Sequence, residues 1–460
     1  VMENPVYQKT EVEGNTVLNK QKVAGFFDLE QGKIANLKDI NKCVQKLEEE
    51  YRSNGYILAR VTDVHMEKDG TLKVAVNEGI VEGFKVKGNV KTKDYVVTRE
   101  MKLKKGEPFN AKAARRSMQR VYNLGYFEDV NIKLNPGREP NGVEVEISVV
   151  EMNTGTFGIG AGYSNADGFV GMVSIGDKNF RGIGDKINLR WEFGGEDNKN
   201  YDFSYTRPWL DDKETSATIN LYDITNEYAD YNIDGDEIAR YDKKRRGQEI
   251  TFSRRTHNEF VSNYITIKNR DDIYKGEADG YEGDENQYYE DKFNQSSKYE
   301  SWMPKTAAER RKENFGVTRS ITFGRVYDSR DNIYDPHEGK RIGYSVEWAG
   351  GMGGDFDFTK WTADWRYYFR AGGESVWALN LGAGYASGDM PLSQRFTMGG
   401  SDTLRGYEDD QFRGNSMYLG TIEYRFPVIS KVQGALFTDF GAAWNSGWSL
   451  WNTDPEPACS

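Results

Sequence analysis

The residues of this chain that could carry out chemistry do not converge on a catalytic centre. The histidines and cysteines, His65, His257, His337, Cys43 and Cys459, are scattered along the sequence. Their spacing matches neither a metal site nor a disulfide framework. The sequence also contains no nucleophile elbow and no phosphate-binding loop. We therefore predict no catalytic residue, no metal site and no cofactor.

A different chemistry is encoded in residues 399–407, which read GGSDTLRGY. The single cation of this stretch, Arg405, has a planar guanidinium that binds a carboxylate through two parallel hydrogen bonds. On either side of the stretch, apolar and polar residues alternate with the period of a β-strand. The stretch therefore lies in a loop between two predicted strands.

The composition limits the class of protein. At 460 residues the chain is too long for one ordinary core, so two or three folding units are expected. Mean hydropathy is -0.77, and no window reaches the run of about 18 apolar residues that a membrane helix needs. A helical membrane protein is excluded, whereas a membrane β-barrel needs apolar residues only at every second position. The net charge of -11 argues against nucleic acid as a partner, because binding it requires a basic surface.

A pattern occurs twice in the first 151 residues. Each copy begins with a Gly-Asn turn, at Gly14 and Gly88, and continues through helical segments to a Gly-Tyr pair and two strands. Helices are predicted at residues 37–53, 93–101 and 111–124. Strands are predicted at residues 57–66, 71–76, 130–134 and 143–150. The order β-α-α-β-β, repeated after roughly 75 residues, indicates two small α+β domains, at 1–80 and 81–151.

From residue 154 onward, apolar residues recur at every second position. Trp361, Ala363, Trp365 and Tyr367, for example, alternate with charged and polar residues. We count about fourteen such strands, starting near residues 155, 169, 185, 199, 215, 247, 259, 316, 340, 357, 375, 393, 415 and 431. A soluble β-sandwich also alternates, but it would rarely carry full charges on one face of so many strands. We therefore predict an antiparallel transmembrane β-barrel over residues 152–460.

The predicted connections between these strands alternate in length. Short turns at residues 208–213, 328–339 and 372–374 contrast with a long acidic, tyrosine-rich segment at 271–314. In bacterial barrels the short turns are periplasmic and the long loops extracellular, which gives the barrel its orientation. The acidic segment is interpreted as a solvated surface rather than as a cation site or a lipopolysaccharide contact.

Two β-α-α-β-β domains followed by such a barrel resemble the superfamily of outer-membrane proteins that combine POTRA domains with a β-barrel. Within that superfamily the chain is most similar to the outer-membrane protein assembly factors. The loop Leu404-Arg405-Gly406-Tyr407 is the strongest motif. Supporting motifs are NFRGIG at 179–184, YTRPW at 205–209 and LFTDFG at 436–441. The resemblance covers nearly the whole chain.

The resemblance implies what Arg405 does. In such proteins the loop folds back into the barrel lumen, where its arginine pairs with acidic residues of the inner wall. Strand alternation independently turns Glu423 and Asp439 toward the lumen. Leu404 belongs to the same loop tether, in which Gly406 is expected to let the backbone approach the wall closely and Tyr407 to pack beside it.

The resemblance also implies a function and partners. Periplasmic POTRA domains would receive unfolded outer-membrane protein clients by strand addition at the edges 57–66 and 130–134. The candidate client-binding residues are Val130, Ile132 and Leu134. The seam between the first and last barrel strands would then template client strands within the outer-membrane lipid. Periplasmic chaperones and accessory lipoproteins are further implied partners.

Two other classes of protein stay open. A two-partner secretion translocator uses the same domains to export one dedicated client, and normally adds an N-terminal helix that plugs the lumen. A passive porin or surface-binding barrel would need neither the POTRA repeat nor the Arg405 loop. Family members continue with two further strands after LFTDFG, for about sixteen in all, whereas residues 445–460 do not alternate. We therefore expect an incomplete barrel whose first and last strands are unpaired edges.

Overall fold

A computed structural model describes residues 6–164, 168–194, 198–231, 237–277, 315–333, 335–429 and 432–445. The chain divides into two compact units. The first contains residues 1–154 and 181–184, and the second contains residues 155–180 and 185–460. Within the described ranges, no helix combines the length and the apolar character that crossing a membrane requires.

The first unit contains two α+β domains in the predicted order. Their strands are β1 (Lys9–Glu13), β2 (Arg60–Met66), β3 (Thr71–Asn77), β4 (Ile80–Lys87), β5 (Phe127–Pro136) and β6 (Gly142–Glu151). Their helices are α1 (Lys20–Gly25), α2 (Leu37–Ser53), α3 (Asp94–Thr98) and α4 (Ala111–Tyr122). The two sheets have the orders β1-β3-β2 and β4-β6-β5. Each domain has its own apolar core, around Leu47 and Val74 in the first and Val121 and Ile147 in the second.

Contacts with the last strand of each domain explain the repeated Gly-Asn turn. Gly14 and Gly88 have φ angles of 79° and 86°, and a Cβ atom on them would lie 2.1 and 2.0 Å from a main-chain oxygen of that strand. In the second domain, the amides of Lys91 and Thr92 donate to the Glu151 carboxylate over 2.9 and 2.7 Å. The turn therefore needs glycine both for its left-handed backbone and for the close approach.

Among the residues that the structure describes, the second unit contains a thirteen-stranded antiparallel sheet. Its strands are β7 (Gly155–Ser164), β8 (Gly168–Phe180), β9 (Asp185–Gly194), β10 (Asn198–Arg207), β11 (Thr215–Tyr231), β12 (Glu237–Arg255), β13 (Val261–Glu277), β14 (Gly316–Asp328), β15 (Gly339–Gly354), β16 (Phe358–Gly372), β17 (Ser375–Gly388), β20 (Ser416–Ile429) and β21 (Val432–Trp444). They are neighbours in chain order. Most exceed the roughly ten residues that a tilted strand needs to cross hydrocarbon. The predicted fold class, POTRA-type domains followed by an antiparallel barrel sheet, is confirmed.

The two faces of this large sheet differ in character. On β16, Trp361 and Trp365 are 40% and 41% exposed, as expected for side chains that face lipid. Lys360 and Asp364 occupy intervening positions on the opposite face, where Asp364 forms an ion pair with Arg341 of β15. We call this opposite side the polar face. Strand alternation therefore separates a lipid-facing surface from a charged one.

The segment near residue 393 was predicted to be a barrel strand, and this prediction is wrong. It forms a short 3-10 helix, Leu392–Gln394, and the strand β18 (Phe396–Met398), which pairs with β19 (Phe412–Gly414) in a separate two-stranded sheet. Phe396 and Met398 are buried in two small apolar clusters, so these alternating apolar residues do not face lipid. The strand predicted near residue 247 begins earlier, at Glu237.

β7 and β21 lie at the two ends of the large sheet. Within the described ranges no main-chain pairing joins them, as expected for two edge strands. The tail at 446–460 and most of the acidic segment, residues 278–314, lie outside the described residues. Residues 271–277 of that segment continue strand β13.

Candidate functional site

The long loop between β17 and β20 presents Arg405 to the last strand of the sheet. The Nε atom of Arg405 donates to Oδ2 of Asp439 over 2.6 Å, and Nη2 donates to Oδ1 over 2.7 Å. The main-chain nitrogen of Arg405 lies 3.4 Å from the same carboxylate. The Asp439 side chain is 5% exposed. The contact is therefore a bidentate, charge-assisted pair that is largely shielded from water.

Glu423 and Phe437 complete the surroundings of the guanidinium. Oε2 of Glu423 lies 3.5 Å from Nη1 of Arg405, while its Oε1 accepts a 2.6 Å hydrogen bond from Arg425. The centroid of the Phe437 ring lies 3.1 Å from Cζ of Arg405, in a cation–π contact. The structure thus brings together Arg405, Asp439 and Glu423, the three charged residues singled out in the sequence, on the polar face.

Leu404 and Gly406 support this contact in different ways. Leu404 is 6% exposed and packs with Met398 and Ala443 in a small apolar cluster. Gly406 has a φ angle of 97°. A Cβ atom at Gly406 would meet nothing within 4 Å, so the expected close approach of its backbone to the wall is wrong. Glycine is favoured there by the left-handed backbone alone.

Tyr407 does not pack beside Gly406 against the wall as expected. Its side chain is 53% exposed, and its ring meets the Phe412 ring edge-on at 5.2 Å. Close backbone approaches in this loop occur at Gly399, where a Cβ atom would lie 2.1 Å from the main-chain oxygen of Glu408, and at Gly414, where it would lie 2.1 Å from the main-chain oxygen of Trp444 on β21. The backbone of the loop therefore approaches the sheet closely at Gly414 and not at Gly406.

The same loop has a second attachment to the polar face, which sequence reasoning missed. Nζ of Lys360, on β16, donates to the main-chain oxygen of Gln394 over 2.7 Å and lies 4.4 Å from the centroid of the Phe396 ring. The side chain of Gln394 donates to the Thr318 hydroxyl of β14. The loop is therefore held near residue 394 as well as at Arg405.

A buried carboxylate extends this second attachment to β13. The Asp272 side chain is fully shielded from solvent, and its Oδ2 accepts hydrogen bonds from Nε of Arg270 over 2.8 Å and from the Ser393 hydroxyl over 3.1 Å. The only sequence signal for these contacts was the placement of Arg270 and Asp272 two residues apart, on the same side of a strand.

The candidate client-binding strand β5 is an edge of its sheet. Within the described residues it pairs on one side only, with β6. Val130 is 9% exposed, and Ile132 and Leu134 are partly buried against the core of the second domain. A partner strand at this edge would therefore meet the main chain of β5 together with exposed residues such as Asn131 and Lys133.

Two β-α-α-β-β domains, a lipid-facing antiparallel sheet and an arginine loop on its polar face define a POTRA-plus-barrel protein. Residues 179–455 match the Omp85 superfamily domain. Residues 6–79 match a ShlB-type POTRA domain, and residues 80–152 match the surface antigen variable number repeat. The chain therefore belongs to the Omp85 superfamily. It is an outer-membrane protein whose POTRA domains are periplasmic.

Curated relatives of this chain include outer membrane protein assembly factors. BamA of Nitratidesulfovibrio vulgaris is 28% identical over 436 residues, which cover 91% of this chain and 49% of that protein. BamA of Neisseria meningitidis serogroup B is 22% identical over 95% of this chain and 57% of its own length. Outer envelope protein 80 of Oryza sativa chloroplasts is 24% identical over 95% of this chain and 65% of its own length. The chain thus spans from half to just under two thirds of these relatives.

Solved structures share the fold. The crystal structure of BamA from Haemophilus ducreyi lacking POTRA domains 1-3 matches 96% of this chain and 87% of its own with a TM-score of 0.51 and 20% identity. CdiB from Escherichia coli matches 96% of this chain and 80% of its own with a TM-score of 0.64 and 14% identity.

Proposed function

We propose that this chain assembles β-barrel proteins into the bacterial outer membrane. The observation that carries the proposal is strand β7, the first strand after the POTRA domains, which within the described residues pairs on one side only, with β8. An unpaired main-chain group in hydrocarbon costs several kcal/mol, so such an edge gains from pairing with a client strand. Folding of the client then supplies the driving force, and no nucleotide is required.

The loop tether connects distant strands of the sheet. Arg405 connects the loop to Asp439 of β21, and the second attachment connects the same loop to β13, β14 and β16. In this proposal the loop acts as a strut in the lumen that keeps β21 aligned with the rest of the sheet. Leu404 anchors the strut by burial, and Glu423 and Asp439 fix its direction.

The POTRA domains receive the client before it reaches the membrane. The domain division at 1–80, 81–151 and 152–460 is part of this proposal and is supported by the matched family regions. An outer strand such as β5 adds a client strand through main-chain hydrogen bonds, which tolerate many sequences. Periplasmic chaperones would deliver clients to this edge, and accessory lipoproteins would bind the same domains.

Reconstitution in liposomes tests the function. Vesicles that contain the full chain should accelerate the folding of a urea-unfolded barrel protein over empty vesicles, with the client recovered as a protease-protected membrane barrel. Proline is then placed at Gly158 and, separately, at Ile159 of β7. Successive amides of an antiparallel strand point to opposite sides, so one substitution removes a donor from the open edge and the other a donor to β8. The variant that loses a donor from the open edge of β7 should slow insertion of the client, while the sheet stays folded. No acceleration by the unsubstituted chain would refute the proposal.

A two-partner secretion translocator is the second candidate. The fold likeness to CdiB, with TM-scores of 0.64 and 0.57 for the proteins from Escherichia coli and Acinetobacter baumannii, favours it. The same vesicles separate the two functions, because a translocator would deliver a dedicated client across the bilayer into the aqueous phase. An assembly factor leaves its clients in the membrane.

A further inference from the structure

A positively charged residue, Arg325 of β14, lies on the lipid-facing surface of the large sheet. Its side chain is exposed. Arg325 is two residues from Phe323, which is 54% exposed, and pairs in register with Tyr344 of β15, which is 53% exposed. Residues two apart on a strand share a face, so Arg325 points the same way as these apolar and aromatic side chains. A charge on that face is unfavourable unless it reaches the polar border of the membrane or binds a partner.

The position of Arg325 along β14 places it at the periplasmic border. The strand ends at Asp328, three residues further on, and the short connection at residues 329–338 leads to β15. Short connections lie on the periplasmic side of bacterial barrels. Tyr327 and Tyr344, the aromatic neighbours of Arg325, are of the type that lines the membrane–water interface. The long arginine side chain can therefore reach the headgroups of the periplasmic leaflet.

Arg325 differs from other arginines on the same side of the sheet, which are held by a nearby oxygen. These are Arg254, 2.6 Å from Asp211, Arg246, 3.0 Å from Asp223, and Arg319, whose Nε donates to Asn269 over 3.2 Å. Among the described residues, no carboxylate and no other acceptor binds the guanidinium of Arg325. Its charge therefore has no counterpart in the part of the chain that the structure describes.

A second cation lies close to Arg325. Nζ of Lys340, on β15, lies 5.4 Å from the centroid of the Tyr327 ring. Tyr327 is two residues from Arg325 on the same face of β14, so both cations lie beside this ring. Lys340 likewise forms no ion pair with any described carboxylate. Asn263 of β13, which pairs in register with Arg325, adds an exposed side-chain amide. We call Arg325, Lys340 and Asn263 the border cluster.

We propose that the border cluster binds the phosphate group of an anionic phospholipid in the periplasmic leaflet. The charges are complementary, because two cations without a protein partner face a headgroup that carries a net negative charge. A guanidinium can donate to two phosphate oxygens at once, Lys340 supplies a second positive charge, and the Asn263 amide supplies a further donor.

The surface above the border cluster fits the rest of the lipid. Ile265 of β13 and Phe323 of β14 pair in register, two residues further into the membrane, and are 43% and 54% exposed. The acyl chains of a lipid whose phosphate lies at Arg325 would cover these side chains. One lipid molecule therefore satisfies the charges and the apolar surface together, whereas a free phosphate ion would satisfy the charges alone.

A fluorescent probe above the cluster measures which lipid lies there. Ile265→Cys, in the full chain with Cys43→Ser and Cys459→Ser, carries the fluorophore in phosphatidylcholine vesicles. The vesicles contain equal mole fractions of either phosphatidylglycerol or phosphatidylcholine with a nitroxide quencher on one acyl chain. We expect phosphatidylglycerol to be enriched at the probe at least about fivefold, which is roughly the factor that one cation near an anionic lipid contributes. Equal quenching by the two lipids would overturn the proposal.

Substitutions on β14 show whether the cluster causes this preference. Arg325→Gln should bring quenching by the two lipids close to equality, and Arg325→Lys should keep most of the preference because it keeps the charge. The matched control is Arg319→Gln, which removes an exposed arginine from the opposite end of the same strand and should leave the preference unchanged. An equal loss for Arg319→Gln and Arg325→Gln would contradict the assignment to this cluster.

Inorganic phosphate separates the lipid from a free ion as the ligand. At constant ionic strength, millimolar inorganic phosphate should leave the preference for phosphatidylglycerol unchanged, because the lipid is also held by its acyl chains. Loss of the preference on adding phosphate would show that the cluster is a site for the free ion and would overturn the proposal. These measurements involve no client, so they are independent of the proposed assembly function.

Discussion

Arg405 and Asp439 are joined by two parallel hydrogen bonds of 2.6 and 2.7 Å. These hydrogen bonds link the loop between β17 and β20 to strand β21. The pair joins a loop arginine to a strand carboxylate 34 residues further along the chain. Because Asp439 is nearly inaccessible to solvent, its charge depends on this partner.

Arg405→Ala should destabilise the barrel by about 3 kcal/mol, because it leaves a buried carboxylate without its partner. Arg405→Lys should recover only part of this loss, since an ammonium cannot form the bidentate contact. The measurement is the thermal unfolding of the full chain in detergent. In a double-mutant cycle with Asp439→Asn, the second substitution should cost much less in the absence of Arg405. Arg366→Ala, which removes another arginine of the polar face at 44% exposure, is the control, and an equal loss for both would contradict the prediction.

Lys360→Met should release the loop at its second attachment while leaving Arg405 in place. The substitution keeps the length of the side chain but removes the hydrogen bond to Gln394 and the contact with the Phe396 ring. Hydrogen exchange should therefore accelerate at residues 393–398 and stay unchanged at residues 403–406. Lys340→Met, at the start of β15, is the matched control. Uniform acceleration along the loop would show instead that the two attachments form one cooperative unit.

Peptides copied from barrel strands should add weakly to β5. Their binding should slow amide exchange within residues 130–134 and leave the central strand β6 unaffected, because both edges of β6 are already paired. The effect should depend little on peptide sequence, since main-chain hydrogen bonds dominate strand addition. Proline at Ile132 removes one main-chain donor, so we expect the peptides to slow amide exchange less in this variant. Unaltered exchange in β5 at saturating peptide would show that this edge is not a client site.

Acid should loosen the second POTRA domain through Glu151. Burial raises the pKa of this carboxyl, but hydrogen bonds from Lys91 and Thr92 favour the carboxylate more and hold its pKa below the ordinary value of 4.5. The stabilisation is therefore complete above that value and is lost as the pH falls through the lower, folded-state pKa. Proteolysis near residues 88–94 should accelerate on acidification, and Glu151→Gln should flatten this dependence. Glu13→Gln, at an exposed glutamate, should leave the pH dependence of proteolysis as steep as in the unsubstituted chain.

The sequence was sufficient for features that depend on local period and spacing. The alternation of apolar and polar residues predicted the antiparallel sheet, because a strand exposes successive side chains to opposite faces. The same alternation predicted that Asp439 and Glu423 lie on one face of the sheet. The duplicated Gly-Asn turn predicted two domains, and α2 was predicted at the residues where it lies, 37–53.

Other features depend on contacts between segments far apart in the chain, and only the tertiary structure decided them. Alternation at residues 393–398 predicted a barrel strand, yet burial of Phe396 and Met398 and the hydrogen bonds of Ser393 and Gln394 hold the segment in a loop. Sequence could not distinguish these outcomes, because apolar residues at every second position fit a lipid face and a small core equally well. The requirement for glycine at position 406 was anticipated, but its cause was not, since the space around a Cβ atom depends on what the fold places beside it. Parity gives the side of a strand on which a residue lies, whereas the partner on that side is chosen by the packing of the whole sheet.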